Sequence, residues 1–495
     1  MLRCAASFVV AAHPKVRLTP CGFARLACEL FTKPSGTRFF TKPLLNMTEQ
    51  RKSAIIYIAV ILLLGVMLRV PFLSYPSEVV FDEVGFGKLV TAYGWTGKRL
   101  FDIHPPLGKL LITAAGKFGG YAGGIDFSKI GNACSESITP LRLLPALAGS
   151  FIPAVVVILL YQLGASWAAA LLGGVLMTFD NAFIVQSRVI GLDTLLVFFI
   201  LSSLSALLAA RSAAGKKKIA LMLVSGLLSG MAAGIKFTGL AALGLAQVIL
   251  TDDWLRANKK NRLEGAALAF LFWCAAIAIY LTGWMIHFKL MRYPGEGDAF
   301  FVPTGHFFSD LFHLHKIMLV ANADITTIHP YSSYWWQWVV MKKPIYYWVH
   351  NNDGIYFIGN PVLWWGAGAV FAWMIGYLIF SGARNLTSNM PTGRNYQLWI
   401  PIAGFFISIL PLVPISRPLF MYHYLPALSF ALISGILWLN INGYIRNAGI
   451  FEQGIFYYAV IAGAVLMFIL LTPITYGLGA LSSYQKILGW TGFGP

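Results

Sequence analysis

Apolar runs long enough to cross a membrane recur along this chain between residues 54 and 475. A spanning helix needs about 20 apolar residues, and in lipid only helices and closed barrels satisfy all backbone hydrogen bonds. The runs lack the alternation of barrel strands, which favours helices. Only 11% of the 495 residues are charged, against about 25% in soluble domains. We therefore predict an all-α integral membrane protein and exclude a soluble enzyme.

We divide the chain into a leader, two membrane regions that contain eleven predicted spans, and a long loop between those regions. Residues 1–53 hold nine Lys or Arg and are interpreted as a basic, disordered leader or as an overlong start before Met47. The remaining regions are an N-terminal membrane region (54–288), an aromatic-rich loop (289–360) and a C-terminal membrane region (361–495). The predicted spans are 54–74, 139–162, 166–185, 190–210, 219–236, 237–251, 263–288, 361–381, 397–416, 420–440 and 455–475.

The short loops differ in their content of Lys and Arg. With the leader in the cytosol, the short loops on that side carry eleven Lys or Arg, and those on the other side carry only Arg188, Lys236 and Arg417. Because positive residues favour cytosolic loops, the long segments 75–138 and 289–360 are predicted to be extracytoplasmic. The net charge of +18 is attributed to this bias and not to nucleic-acid binding.

Both long segments are predicted to be structured loops at the membrane surface. Apolar residues recur at helical spacing from residue 107 to residue 114, with Lys109 and Lys117 on the flank, which predicts an interfacial amphipathic helix. The second loop is rich in aromatic residues and His. Neither loop has a convincing metal-binding pattern, and we predict no metal and no cofactor.

Asp82 and Glu83 are adjacent carboxylates just beyond the first predicted span. A carboxylate partly removed from water has a raised pKa and can act as a general base. The same pair could instead cap the N-terminus of a helix, and local sequence leaves these two interpretations near even.

The second group of candidates consists of one histidine and four Lys or Arg residues. His104 precedes two prolines that fix an extended turn, although a turn histidine at a helix entry is at least as probable. Charges at membrane depth are costly and are functional candidates, and Arg suits phosphate, although each could reach the headgroups instead. Several basic residues on the same face as an acidic pair favour an anion site for a lipid phosphate. The basic candidates are Arg142, Arg188, Lys236 and Arg417.

Nine motifs then identify a resemblance. Over roughly residues 54–480 the chain resembles the protein O-mannosyltransferases, with the motifs in the same order and spacing. They are FDEVGFGK, DIHPPLGKLLI, LRLLPALAG, FDNAFIVQSRVIGLDTLL, GIKFTGL, HPYSSYWWQW, IYFIGNPVLWW, SRPLFMYHYLPAL and TPITYGLG.

The resemblance implies a GT-C glycosyltransferase that transfers mannose from a polyprenyl or dolichyl phosphate to Ser or Thr of secreted or membrane proteins, with inversion. It implies that Asp82 is the catalytic base and that Arg142 supports the donor phosphate. We expect Glu83 to share the proton load or to orient the acceptor, and His104, Arg188, Lys236 and Arg417 to bind the donor. Acceptor contacts are expected from the HPYSS and YHYLP motifs, at His329, Tyr331, Tyr422 and His423.

Two departures from the family pattern matter. Residues 289–360 cannot hold the MIR domain of eukaryotic members, so the chain is expected to be of the shorter bacterial type, in a bacterial cytoplasmic membrane or, if eukaryotic, in the endoplasmic reticulum. Many members also have His where this chain has Gly85. A lipid or glycan acceptor remains the alternative activity. A transporter or flippase is less favoured, because acids are almost absent from the spans.

Overall fold

The computed structural model describes residues 47–325, 329–381, 397–415, 417–479 and 481–484. The chain divides into two units, Met1–Arg51 and Lys52–Pro495. Residues 1–46 of the predicted leader lie outside the described residues, and its residues 47–53 belong to the helix Met47–Arg69. The helices are α1 Met47–Arg69, α2 Glu83–Thr91, α3 Leu107–Phe118, α4 Thr139–Gln162, α5 Trp167–Thr178, α6 Asn181–Ser187, α7 Asp193–Arg211, α8 Gly215–Ile235, α9 Leu240–Arg256, α10 Lys259–Leu290, α11 Phe307–Ala323, α12 Trp335–Trp338, α13 Pro361–Ser381, α14 Trp399–Ile409, α15 Leu425–Ile441 and α16 Ile455–Tyr476.

Each of the eleven predicted apolar segments contains a helix. Within the described ranges, seven helices are long and apolar enough to cross a membrane on their own, and the bent pair α5 and α6 brings the number to eight at most. Shorter apolar helical stretches occupy the predicted segments near residues 55–69 and 399–412. The helical membrane architecture is thus confirmed, and the count of eleven crossings stays a prediction.

The predicted span 166–185 is not one straight helix. The axes of α5 and α6 differ by 59°. Asp180 lies at the break, where its Oδ1 accepts a hydrogen bond from the amide of Phe183 at 2.9 Å, and its Oδ2 accepts from the amide of Asn360 and the indole of Trp364. A side chain that caps the second helix ends the first one, so the carboxylate produces the bend.

The first long loop is folded against the membrane helices. The predicted helix is confirmed as α3, but Lys109 does not lie on an exposed flank, and the interfacial position stays a prediction. Lys109 is only 1% exposed and forms an ion pair with Asp102. On the same helix, a Cβ added to Gly108 would lie within 3.3 Å of Ile235 at the end of α8. A buried acidic partner allows Lys109 to leave the surface, which the helical spacing could not reveal.

The second long loop contains strands, which the all-α prediction omitted. Strands β1 Ile345–His350 and β2 Asp353–Phe357 form an antiparallel hairpin, with Ile345 opposite Phe357 and a bulge between Tyr346 and Trp348. Asn351 in the turn has φ of 54°, a conformation that Asn tolerates better than most residues. The aromatic residues of this loop therefore serve as strand formers, and the hairpin brings them beside the first loop.

Helices α8 and α10 approach each other closely through two glycines spaced four residues apart. A Cβ at Gly226 would lie 2.3 Å from the carbonyl oxygen of Phe272, and one at Gly230 would lie 2.3 Å from that of Ala276. Small residues at this spacing allow helix backbones to meet in a membrane. This contact supports the end of α8, from which the chain continues into the candidate site.

We expect Gly230→Ala to lower the unfolding midpoint of the detergent-solubilised protein, because the new methyl group collides with the α10 backbone. The free-energy cost should be about 1–3 kcal/mol, as for other overpacked positions. Gly366→Ala is the matched control, since a Cβ at Gly366 meets nothing within 4 Å. Equal midpoints for the two variants, measured by thermal unfolding, would contradict this packing.

Candidate functional site

Asp82 lies at the N-cap position of α2 without making the capping bond that the alternative interpretation required. Its carboxylate has no hydrogen-bond partner among the residues that the structure describes. The preceding residue is held in place, because the amide of Phe81 donates to the carbonyl of Tyr347 at 3.1 Å and the two rings stack at 5.2 Å. Asp82 is thus a fixed carboxylate with unused acceptor capacity.

Burial raises the pKa of Asp82 to about 7. Among its charged neighbours, Lys236 opposes this rise most strongly, and Asp193, Asp102 and Glu83 add to it. A carboxylate with a pKa near neutrality is ionised often enough to accept a proton and holds that proton well once it has it. The environment of Asp82 therefore suits a general base.

Glu83 and Arg142 form a fully buried ion pair directly behind Asp82. Arg142 donates from Nε to Glu83 Oε1 at 2.7 Å and from Nη2 to Oε2 at 2.8 Å. The same carboxylate accepts from the amides of Val80 and Ile190, each at 2.9 Å. The remaining N–H groups of Arg142 donate to three carbonyl oxygens between α1 and α2, at Leu73, Pro76 and Glu78.

This saturation argues against two of the predicted roles. Arg142 has five N–H donors and all five are used, so none remains for a donor phosphate. Glu83 is 0% exposed and its oxygens accept four hydrogen bonds, so in this arrangement it is enclosed, and its role toward the proton or the acceptor stays a prediction. Both residues hold the first loop in place.

Arg188 is also separated from the site. It is 8% exposed, and its Nη atoms donate to the carbonyl oxygens of Arg69, Pro71 and Phe72 at 2.9 Å each. Its guanidinium lies 5.0 Å from the centre of the Tyr476 ring. Arginine can bind the last carbonyls of a helix in this way, so Arg188 caps α1, and its role in donor binding stays a prediction that this geometry does not favour.

Lys236 has an extended backbone and connects α8 to the short turn Phe237–Gly239. Its Nζ is bound by both oxygens of Asp193, at 2.8 and 2.9 Å, and lies 5.2 Å from the centre of the Tyr422 ring. Because Asp193 fixes the ammonium group, a flexible side chain becomes a positioned charge beside Asp82.

A cavity of about 370 Å³ gathers the remaining basic candidates. It is lined by His104, Lys236, Arg417 and His423, with Leu319 and Leu412 among its apolar walls. Burial lowers the pKa of His104 to about 3, so the imidazole is neutral at pH 7 and has a single N–H donor. Arg417 forms no ion pair with any described residue. With Lys236 matched by Asp193, Arg417 leaves the cavity with an excess positive charge that suits an anion.

An aromatic cluster lies around Phe81, the residue that precedes Asp82. The ring of His329 lies 6.0 Å from that of Phe81 and 5.1 Å from that of Phe420, which in turn stacks on Tyr422 at 5.5 Å. Tyr331 contacts His329. His423 stacks on Tyr422 at 4.8 Å. The structure therefore groups the four residues of the HPYSS and YHYLP motifs in one cluster with Phe81, the neighbour of Asp82, and their role toward an acceptor stays a prediction.

Sequence reasoning missed Tyr347, Phe81 and Gln186 as parts of the site. Phe81 and Gln186 lie in two of the nine motifs, close in sequence to the candidates Asp82 and Arg188, and this closeness could have indicated them. Tyr347 gave none, because it stands in a run of aromatic residues that are alike in sequence.

Comparisons with known proteins agree on one family. The protein-family model of dolichyl-phosphate-mannose-protein mannosyltransferase matches residues 59–292. A second family model, of the C-terminal four-span region of protein O-mannosyltransferase, matches residues 307–492. The chain is 30% identical over 291 residues to dolichyl-phosphate-mannose–protein mannosyltransferase 1 of Saccharomyces cerevisiae, covering 55% of this chain and 34% of that protein. Against protein O-mannosyl-transferase 1 of Mus musculus the identity is 29%, with 59% and 40% covered.

A solved structure shows the same fold. The S. cerevisiae protein O-mannosyltransferase Pmt1-Pmt2 complex bound to the sugar donor matches with a TM-score of 0.81 at 17% identity, covering 92% of this chain and 95% of that one. The curated relatives are longer, and the chain spans well under half of their length.

Arg142→Met and Arg417→Met should separate the structural cation from the cavity cation. Removing Arg142 leaves Glu83 buried without its partner, so the free energy of unfolding should fall by about 3–5 kcal/mol. Arg417→Met should leave unfolding nearly unchanged and weaken binding of a polyprenyl phosphate probe by about tenfold, as expected for one charge-assisted bond. Thermal unfolding and probe titration measure the two effects. A stable Arg142→Met protein that fails to bind the probe would restore the phosphate role of Arg142.

Proposed function

The chain belongs to the protein O-mannosyltransferase family, and from this we propose that it transfers mannose from a polyprenyl or dolichyl phosphate to Ser or Thr hydroxyls of proteins. One observation carries the proposal. The Asp82 carboxylate, which has a pKa near 7 and no hydrogen-bond partner among the described residues, interacts with Lys236, and Lys236 lines a positively charged cavity with apolar walls. A lipid-linked sugar donor requires both features, because its phosphate must be bound in the cavity while the base activates the hydroxyl that attacks the sugar.

The reaction is a single displacement. The acceptor oxygen attacks the anomeric carbon of mannose from the side opposite the phosphate, and a new C–O bond forms as the bond to the phosphate oxygen breaks. Asp82 takes the hydroxyl proton, and the phosphate leaves with the bonding electrons. The anomeric configuration is therefore inverted, without a covalent intermediate on the enzyme.

The residues of the cavity stabilise the departing phosphate. Lys236 and Arg417 supply positive charge, and neutral His104 supplies an N–H donor. These groups are held in place before the reaction, so they stabilise developing charge without reorganising. The aromatic cluster of Phe81, His329 and Phe420 offers flat apolar faces to the acceptor segment next to Asp82.

The protein is a multi-pass integral membrane protein, and we propose that its site faces away from the cytosol, in a bacterial cytoplasmic membrane or in the endoplasmic reticulum. The Lys and Arg distribution of the short loops supports this orientation. The three basic residues on the far side are accounted for inside the fold, since Arg188 caps α1, and Lys236 and Arg417 line the cavity.

Asp82→Asn should leave the protein folded and lower turnover by about 10²–10⁴-fold, because the amide keeps the shape and cannot accept the proton. In the wild type, kcat/KM should be constant above about pH 7 and fall about tenfold per pH unit below it, because the raised pKa protonates Asp82 there. The measurement is mannose transfer to a Ser/Thr-rich peptide between pH 5 and 9. Retention of a third of wild-type turnover by the variant, or an acid limb below pH 5, would exclude Asp82 as the base.

The orientation can be tested by cysteine labelling in sealed membranes. Single cysteines in place of Ser128 and Ser309 should react with an impermeant thiol reagent from the extracytoplasmic side, and one in place of Ser212 should not. All three positions are exposed on the protein, so differences in labelling report the side of the membrane. The reverse pattern would move the site to the cytosolic face.

A further inference from the structure

A chain of buried hydrogen bonds links the second long loop to Lys236. The hydroxyl of Tyr347 in β1 donates to Oε1 of Gln186 in α6. Nε2 of Gln186 donates to Oδ2 of Asp193 at 3.2 Å, and Asp193 binds Lys236 with both oxygens. Tyr347 and Gln186 are fully buried, and Asp193 nearly so.

The other end of this chain reaches Asp82. Tyr347 accepts a hydrogen bond from the amide of Phe81 through its carbonyl oxygen at 3.1 Å, and its ring stacks on the ring of Phe81. Phe81 directly precedes Asp82. A single residue, Tyr347, therefore holds the segment that carries the proposed base and, through its hydroxyl, the group that carries the cavity cation.

We infer that Tyr347 and Gln186 are positioning residues that fix the separation between Asp82 and Lys236, and hence between the attacking hydroxyl and the donor phosphate. The inference rests on the proposed function. The residues in the chain come from β1, from α6, from the start of α7 and from the break after α8, so no local structure sets their relative positions. The side-chain hydrogen bonds supply that constraint.

Gln186 is suited to this position by its amide. Its oxygen accepts from Tyr347 while its nitrogen donates to Asp193, a pairing that a carboxylate could not make because it lacks the donor. The direction of both bonds is therefore fixed. Displacement in line needs the reacting groups aligned, and a shift of about 1 Å can cost about 10²-fold in rate.

The test compares Tyr347→Phe with Tyr457→Phe. Each change removes only the hydroxyl of a buried tyrosine, and the Tyr457 hydroxyl donates at 3.0 Å to the carbonyl of Ala168, away from the chain. We expect Tyr347→Phe to lower kcat by about ten- to a hundredfold and to weaken polyprenyl phosphate binding, with little change in KM for the acceptor peptide. Tyr457→Phe should change none of these by more than about twofold, within the small effects of substitutions away from such features.

Gln186→Met provides the second variant, because it keeps the side-chain length and removes both hydrogen bonds. If the two residues act through one chain, Tyr347→Phe added to Gln186→Met should cause no further loss of kcat or probe affinity. Additive losses, wild-type values in both single variants, or equal losses in Tyr457→Phe would overturn the inference. Unfolding of both variants with a stable Tyr457→Phe would also overturn it, since the chain would then serve stability alone.

Failure of the proposed function is distinguishable from failure of this inference. A wild-type protein that transfers no mannose would contradict the proposed function, and the affinities of the variants for polyprenyl phosphate would still decide whether the chain positions Lys236. Normal wild-type transfer with indifferent variants would contradict the inference alone.

Discussion

The buried ion pair of Glu83 and Arg142 is the interaction on which the site depends. Two charges removed from water destabilise a fold unless each is fully paired and hydrogen-bonded. Here four donors satisfy Glu83 and five acceptors satisfy Arg142, drawn from the first loop, α4 and the turn before α7. Because Asp82 directly precedes Glu83, this network fixes the backbone of Asp82 and leaves its carboxylate unpaired.

Hydrogen-bond occupancy divides the basic residues of this face into two groups. Arg142 and Arg188 each donate three hydrogen bonds to backbone carbonyl oxygens and thereby hold separate segments of the chain together. Lys236 and Arg417 line a cavity, and Lys236 is positioned by a carboxylate without being enclosed by carbonyls. Arginine suits the first role because five donors in one plane can join several loops. We propose that Lys236 and Arg417, the second group, bind the donor phosphate.

Sequence reasoning predicted the parts of this structure that depend on local pattern. The length of an apolar run predicts a helix, and every predicted segment contains one. The bend at Asp180 and the hairpin depend on contacts with distant residues, since Asp180 is bound by Asn360, 180 positions away. Asp82 was found because acids are rare near the first span. The contacts of Arg142 and Arg188 could not be predicted, because most of their partners are backbone carbonyls, which every residue has and no sequence pattern marks.

The central claim is that Asp82 directs an acceptor hydroxyl onto lipid-linked mannose by single displacement. The most direct measurement is the anomeric configuration of the product, determined by NMR after the purified protein acts on polyprenyl-phosphate mannose of known configuration and a Ser/Thr-rich peptide. The account predicts a mannosylated Ser or Thr with complete inversion. Retention of configuration would require a covalent intermediate for which the account has no place, and a lipid or glycan product without peptide mannosylation would contradict the proposed acceptor.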